Sequence, residues 1–401
     1  MNSQSIHAMN QESFPECRSQ FLGQGVVLLL WFANIYDMGG GFGIKYASFA
    51  VALLYLTLHF KPFPMDRPTS HLFMFLFLLW PVLALLHSLT AGAELSLAIN
   101  QMTAFPASIV FFLVIQSVRP HYALSVFLYT MLSLAVIVIA LYLLMWFTSP
   151  FADIFMRMFS SEAHGYIGYR PFGNIFMPNV YLKATLFLVP VYVYFLFMAK
   201  PIHALIALLA LVVAFSKAGF ALCLLFTLYF LLMHRGDRRY KAAVIVLFIA
   251  ITPLVLGFEQ FTEELLRSLT GEAETAQVRI GYLDSLYTMF GENPVSLLIG
   301  QGPGGVFYAQ NLGAYVSNIE LDHLNAIRKF GLPWFLAFTA FVLTVSYRLF
   351  RSQQAEERAL GLALLSLFIA AGTNPVLLSP TFLMFMAMAT DFYWRRHESV
   401  R

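Results

Sequence analysis

Charged residues are scarce in this chain. Aspartate, glutamate, lysine and arginine make up 11% of its 401 residues, whereas 59% are hydrophobic. Because a soluble globular domain carries about 25% charged residues, this composition excludes a soluble protein with an ordinary surface. It predicts a polytopic membrane protein that uses the bilayer as its solvent. The formal net charge is only +3, and we expect membrane lipid, not nucleic acid, as a partner.

Cysteines and several common catalytic motifs are also nearly missing. The two cysteines, Cys17 and Cys223, lie in a leading polar segment and inside an apolar run, which excludes a disulfide between them. The chain has no His-Glu-x-x-His sequence, which argues against zinc. The glycine-rich turn at 300–305 lacks the Gly-Lys-Ser/Thr ending of a nucleotide loop. We therefore expect no metal and no cofactor.

Long apolar runs are abundant instead. Windows able to cross about 30 Å of hydrocarbon lie near 21–36, 43–60, 71–90, 97–117, 123–147, 179–198, 202–216, 218–233, 242–257, 331–347, 359–373 and 376–394. They predict an all-α polytopic protein with about twelve transmembrane helices. The seventh, eighth and eleventh windows are short, so the alternative there is a re-entrant pair. Residues 1–401 then form a single membrane domain.

The basic residues predict which side of the membrane each loop faces. A cluster from Arg235 to Lys241 lies in a short loop, where the positive-inside rule has most force. This places both termini in the cytoplasm. The two longest loops, 148–178 and 258–329, then lie on the outer side, and the second is the candidate for an active site.

Each long outer loop contains an arginine suited to binding an anion. Arg170 lies in the first loop and Arg279 in the second. A guanidinium is always charged and can donate two parallel hydrogen bonds, which fits a diphosphate. The alternative is that each arginine only contacts lipid phosphates at the surface.

The second outer loop also carries candidate acid and base groups. His323 follows Glu320 and Asp322. A neutral imidazole can take a proton from a sugar hydroxyl, and a neighbouring carboxylate can orient or replace it. The alternative is an interfacial histidine with a packing role. Glu320 and Asp322 alone are a weak signal for a metal ion.

The remaining candidate site residues are further cations and a glycine turn. Lys217 lies between two predicted spans, where an ionisable group is costly and often functional, whereas Lys183 is interpreted as a snorkelling side chain. Arg328 is a further substrate-binding candidate. The turn at 300–305 is either flexible or a source of N–H donors for phosphate. Apolar residues at helical spacing over 276–290 predict an amphipathic helix.

These residues together resemble the superfamily of O-antigen polymerases and O-antigen ligases. The likeness lies in Arg170-x-x-Gly173 leading to Pro178-Asn179, Ser216-Lys217-Ala218-Gly219, Arg279 before Asn293-Pro294, the turn Gly300-x-Gly302-x-Gly304, and His323 before Phe330-Gly331-Leu332. It covers roughly residues 165–350. The resemblance implies a GT-C-like glycosyltransferase of the bacterial inner membrane that uses glycans linked to undecaprenyl diphosphate at the periplasmic face.

Within this resemblance, Arg170 and Arg279 match the arginines that bind the diphosphate, and His323 matches the catalytic histidine. Lys217 stands where the family has arginine, so the charge is kept and the fork is lost. The spacing around His323 favours a repeat-unit polymerase, which implies a possible chain-length regulator as partner. The alternative is a ligase that transfers the polymer to lipid A core.

Two other classes compete with a glycosyltransferase. A flippase or secondary transporter should show internal repeats and charges along mid-membrane helices. The sequence shows no repeat, and its charges concentrate in loops. A structural subunit of an export complex would need neither the arginines nor the histidine.

Overall fold

The structure is a computed structural model that describes residues 13–59, 68–147, 153–154, 165–172, 175–233, 238–256, 267, 270 and 274–398. Within these residues the chain is mostly helical, with two small antiparallel hairpins. Most of the predicted outer loop 148–178, and most of 258–273, lie outside the described residues.

Seven α-helices occupy the first part of the chain. They are α1 (Ser13–Tyr36), α2 (Ile44–His59), α3 (Pro68–Met74), α4 (Trp80–Thr90), α5 (Leu95–Met102), α6 (Ala104–Ile115) and α7 (Pro120–Phe147). A π-helical segment, Phe75–Leu79, joins α3 to α4. Both α3 and α7 begin with proline, which fits the first turn because no intrahelical N–H bond is required there.

A β-hairpin follows α7 and corrects the all-α prediction. Strands β1 (Gly165–Phe172) and β2 (Ile175–Leu182) pair along their full length, with Arg170 opposite Met177. The predicted span 179–198 therefore starts as strand and becomes helical only at the 3-10 segment Lys183–Phe187. Pairing between the two strands satisfies their backbone N–H and C=O groups. A hydropathy pattern does not reveal such pairing. Helices α8 (Leu188–Phe197), α9 (Pro201–Val213), α10 (Lys217–Met233) and α11 (Arg238–Leu256) continue the chain.

The remaining elements surround the second outer loop. They are α12 (Glu274–Glu292), α13 (Pro294–Ile299), β3 (Phe307–Ala309), β4 (Ala314–Val316), α14 (Asp322–Phe330), α15 (Leu332–Phe350), α16 (Ala355–Ala370) and α17 (Pro380–Glu398). Helix α12 confirms the predicted helix at 276–290. Its apolar face packs through Tyr282 and Leu286 against Phe307 and Ile319.

The helices are those of a membrane protein by length and composition. Four stretches are long and apolar enough to cross a bilayer: His71–Thr90, Leu95–Ile115, Pro120–Phe147 and Leu332–Phe350. Shorter apolar helices cover Gln20–Tyr36, Ile44–His59, Lys183–Phe197, Pro201–Val213 and Lys217–Met233. A helix covers most of each predicted window, but the number of spans, twelve, stays a prediction.

Two helices form the centre of the bundle. Every residue of α8 from Leu188 to Leu196 is buried, and so is every residue of α17 from Thr381 to Ala389. Helix α17 packs against α1, α6, α7, α15 and α16. A helix buried on all sides contacts protein only, so these two support the helices that would face lipid.

Candidate functional site

Helix α14 carries several predicted site residues and buries most of its polar ones. Asp322, Asn325, Arg328 and Lys329 all lie in the protein interior. Charged groups are seldom buried unless they are paired or hydrogen-bonded. Their partners therefore indicate what each side chain does.

Asp322 ties α14 to residues 371–379, the connection between α16 and α17. Its Oδ2 accepts hydrogen bonds from the backbone N–H groups of Leu377 at 2.6 Å and Leu378 at 3.4 Å. Its Oδ1 accepts one from Asn325 Nδ2 at 3.2 Å. Burial raises the pKa of the Asp322 carboxyl, and these donors partly offset the rise. Because both oxygens accept hydrogen bonds from the protein, the carboxylate positions this connection, and its predicted acid/base role stays a prediction.

We expect Asp322→Asn to destabilise the protein by about 1.5–3 kcal/mol per lost hydrogen bond to the charged group. The new amide would bring N–H donors toward either Leu377 N–H or Asn325 Nδ2, where only an acceptor fits. The melting temperature of the purified protein measures the effect. Asp284→Asn, at an exposed position of α12, is the matched control. Equal melting temperatures for the two variants would contradict a positioning role.

His323 lies between α14 and α16. Its Nε2 is 3.0 Å from the carbonyl oxygen of Phe368, and its ring packs against Phe368 and Phe335, with centroids 4.7 and 5.6 Å away. Nε2–H therefore donates to a carbonyl in the last turn of α16, where carbonyls lack intrahelical donors. The lone pair is then on Nδ1, beside Gly372. Burial lowers the pKa of His323, partly offset by the bond to Phe368, so the imidazole is neutral at neutral pH.

Arg279 and Glu320 form an ion pair that is open to solvent. Nε and Nη2 of Arg279 lie 3.2 and 3.0 Å from Oε2 of Glu320, and Nη2 also donates to the carbonyl oxygen of Thr373 at 3.2 Å. The two side chains are 33% and 52% exposed. Among the described residues nothing donates to Oε1 of Glu320. One carboxylate oxygen is thus oriented by Arg279, and the other is open to a substrate.

Arg328, predicted to bind substrate, lies fully inside the protein. Its terminal nitrogens donate to Gln301 Oε1 at 2.9 Å, Gly305 O at 2.8 Å, Ser317 O at 2.5 Å and Asn325 Oδ1 at 2.9 Å. Its guanidinium also lies 5.1 Å from the centroid of the Phe307 ring. Burial lowers its pKa to about 10, so it stays charged at neutral pH. These contacts hold the 300–317 segment onto α14 and leave Arg328 no free terminal nitrogen for a ligand.

The glycine turn at 300–305 is packed closely against α14. A Cβ on Gly300, whose φ is +78°, would lie 2.4 Å from the carbonyl oxygen of Lys329. The N–H of Gly304 donates to Gln101 Oε1 at 2.9 Å. The glycines therefore permit close backbone approach, and this N–H is directed at a protein acceptor rather than at a phosphate.

A cavity of about 550 Å³ opens next to Glu320. Its walls come from residues within 38–46, 100–104, 181–183, 318–329 and 374–380. Three lysines line it: Lys45 on α2, Lys183 after β2 and Lys329 on α14. Glu320 and Asp322 line it as well, whereas His323 is not among the described lining residues. A polar, cation-lined cavity of this size can hold an anionic ligand.

Sequence reasoning missed these lysines as a group. It did not single out Lys45, and it interpreted Lys183 as a snorkelling side chain. A signal was present, because both lie at span ends predicted to face outside, where the positive-inside rule makes cations the exception. Their approach to Lys329 depends on tertiary packing.

Two other cations were predicted to bind substrate, and no described contact places them at this cavity. Arg170 lies in β1, and its side chain is outside what the structure describes. Lys217 begins α10. The contacts described for His323 and for the pair of Arg279 and Glu320 do not include it. Their proposed roles stay predictions.

Comparisons with known proteins give no family for this chain. No protein-family model matches it, and no curated protein sequence matches it. The features that bear on function are therefore the cavity, the ion pair and the residues that position them.

Proposed function

We propose that this chain is a membrane glycosyltransferase that transfers a glycan from a polyprenyl diphosphate to a lipid-linked acceptor, as a repeat-unit polymerase does. The observation that carries the proposal is the cavity itself. It combines a solvent-exposed carboxylate, Glu320, with three lysines and a neighbouring arginine, Arg279. Glycosyl transfer from a diphosphate needs a proton acceptor for the attacking hydroxyl and positive charge for the leaving group.

In the proposed reaction, the acceptor hydroxyl oxygen bonds to the anomeric carbon of the donor sugar. Its proton passes to Oε1 of Glu320, and the bond from that carbon to the diphosphate oxygen breaks with its electron pair. Negative charge grows on the diphosphate, which nearby ammonium and guanidinium groups stabilise. Arg279 holds Glu320 through Oε2, so it acts by positioning the base as well as through its charge.

The location of the cavity is consistent with an outward-facing site. Its five wall segments all lie at or near chain turns that the topology prediction places outside. Cations at the opposite ends of the helices include Arg348, Arg351 and Arg395. By the positive-inside rule that end is cytoplasmic, so the cavity would face the periplasm.

A reconstituted reaction tests the proposed function. Purified protein in liposomes, supplied only with a lipid-diphosphate-linked repeat unit, should produce a ladder of longer lipid-linked glycans. Transfer seen only when lipid A core is added would identify a ligase instead. Movement of the lipid-linked repeat across the bilayer without a new glycosidic bond would identify a transporter and overturn the proposal.

A further inference from the structure

The three lysines line the same cavity although they are far apart in sequence. Lys45 lies in the first turn of α2, Lys183 follows the hairpin, and Lys329 lies in the last turn of α14. Lys45 and Lys329 are 8% and 3% exposed, whereas Lys183 is exposed. Burying like charges together is costly unless an anion compensates them.

The protein supplies little of that compensation within the cavity. Among the described residues the ion pairs involve His121, Arg279 and Arg395, and none involves these lysines. Lys45 Nζ donates to the carbonyl oxygen of Met38 at 3.4 Å, and Lys329 Nζ donates to Asn318 Oδ1. An ammonium has three donors, so each lysine retains donors for a ligand.

The nearby carboxylates compensate the lysines only in part, because their hydrogen bonds go to other partners. Glu320 pairs with Arg279, and Asp322 accepts backbone N–H groups. Asp37 accepts the backbone N–H of Lys45 at 3.1 Å, and its carboxylate also offsets part of the Lys45 side-chain charge. Burial and the neighbouring Arg328 lower the pKa of Lys329, partly offset by Asp322. A bound anion would relieve this shift.

We infer that Lys45, Lys183 and Lys329 form a binding site for a phosphate-type anion, namely a diphosphate or phosphate ester. Asn318, Asn325 and Asn374 line the same cavity. The amide nitrogens of Asn325 and Asn374 donate to Asp322 and Thr373, whereas Asn318, whose oxygen accepts from Lys329, provides a neutral N–H donor for phosphate oxygens. This inference rests on the proposed function only for the origin of the anion. A lipid-linked substrate and free diphosphate would present the same chemistry to the lysines.

Binding of two probes to the full-length protein tests the inference. The probes are inorganic pyrophosphate, measured by calorimetry in detergent, and undecaprenyl diphosphate in nanodiscs of neutral lipid. Lys183→Gln should weaken binding about 10- to 100-fold, the equivalent of one charge-assisted hydrogen bond. Lys329→Gln should do the same, with its melting temperature checked because Lys329 is buried. Lys200→Gln, at an exposed turn between α8 and α9, is the matched control and should bind as wild type does.

Each outcome has a clear meaning. Pyrophosphate binding that is lost in the cavity variants supports the site with a free anion. Binding of the lipid-linked probe alone, lost in the same variants, supports the site with a lipid source. No binding of either probe, or equal binding by wild type and Lys183→Gln, overturns the inference. Lysine-dependent binding without glycan transfer would refute the proposed function only, and transfer that is insensitive to the lysines would refute the site only.

Discussion

Glu320→Gln is expected to lower the rate of glycan transfer by about 100- to 10,000-fold, the usual cost of removing a general base. The amide keeps the size of the side chain and can still accept from Arg279, but it cannot take a proton. Glu320 is also half-exposed, so its replacement should leave the protein folded. The measurement is the initial rate of lipid-linked product formation by equal amounts of purified protein. Glu292→Gln, at the exposed end of α12, is the matched control.

His323→Ala provides the contrast with Glu320→Gln. The imidazole can act as a base only when neutral, and burial lowers its pKa from the ordinary 6.5. Activity that depends on His323 would therefore be complete above pH 6.5 and fall only as the pH drops through the lowered pKa. We expect His323→Ala to keep most of the transfer rate and this part of the pH profile, because His323 is not among the described residues that line the cavity and its ring packs against Phe368 and Phe335. A null His323→Ala beside an active Glu320→Gln would move the base to the imidazole.

Arg328→Met is expected to abolish accumulation of folded protein. Methionine fills part of the space, but it leaves four acceptors without the guanidinium donors, namely those of Gln301, Gly305, Ser317 and Asn325. Each buried acceptor left without a partner costs about 1–3 kcal/mol. The sum approaches the net stability of a typical domain, about 5–15 kcal/mol.

The level of monodisperse protein extracted from membranes measures this effect. Arg358→Met, at an exposed position of α16, should accumulate normally, since surface substitutions usually change stability by less than about 0.5 kcal/mol. An Arg328→Met protein that is abundant and stable but inactive would restore the prediction that Arg328 binds substrate.

Periodic apolar patterns predicted the helical parts of the fold well. The spacing over 276–290 predicted α12 because an amphipathic helix must bury one face, and its apolar face does pack on Phe307. The hairpin of β1 and β2 was missed because its stability depends on pairing between two segments. Its Gly, Pro and aromatic residues are equally typical of an irregular loop.

The candidate site was predictable in composition but not in contacts. Arg279 and Glu320 were both named from the sequence, yet their ion pair joins residues 41 positions apart. Asp322 and Arg328 were selected because they are charged and near His323. In the structure, Asp322 accepts hydrogen bonds from the protein and Arg328 donates hydrogen bonds to it. Which partners these side chains have depends on where residues 300–317 and 371–379 pack. Local sequence does not encode that packing.

The burial of α17 from Thr381 to Ala389 has a consequence for how the protein is assembled. Helix α17 is synthesised after every other described helix, yet it fills the space between α1, α6, α7, α15 and α16. Those helices are synthesised earlier, and the space between them is filled only once residues 380–398 have been made. The contacts that α17 makes with these five helices therefore form only after the helices themselves have been made. The hydrogen bonds of Asp322 and Arg279 to the connection at 371–379 then fix the start of α17 relative to α14 and α12.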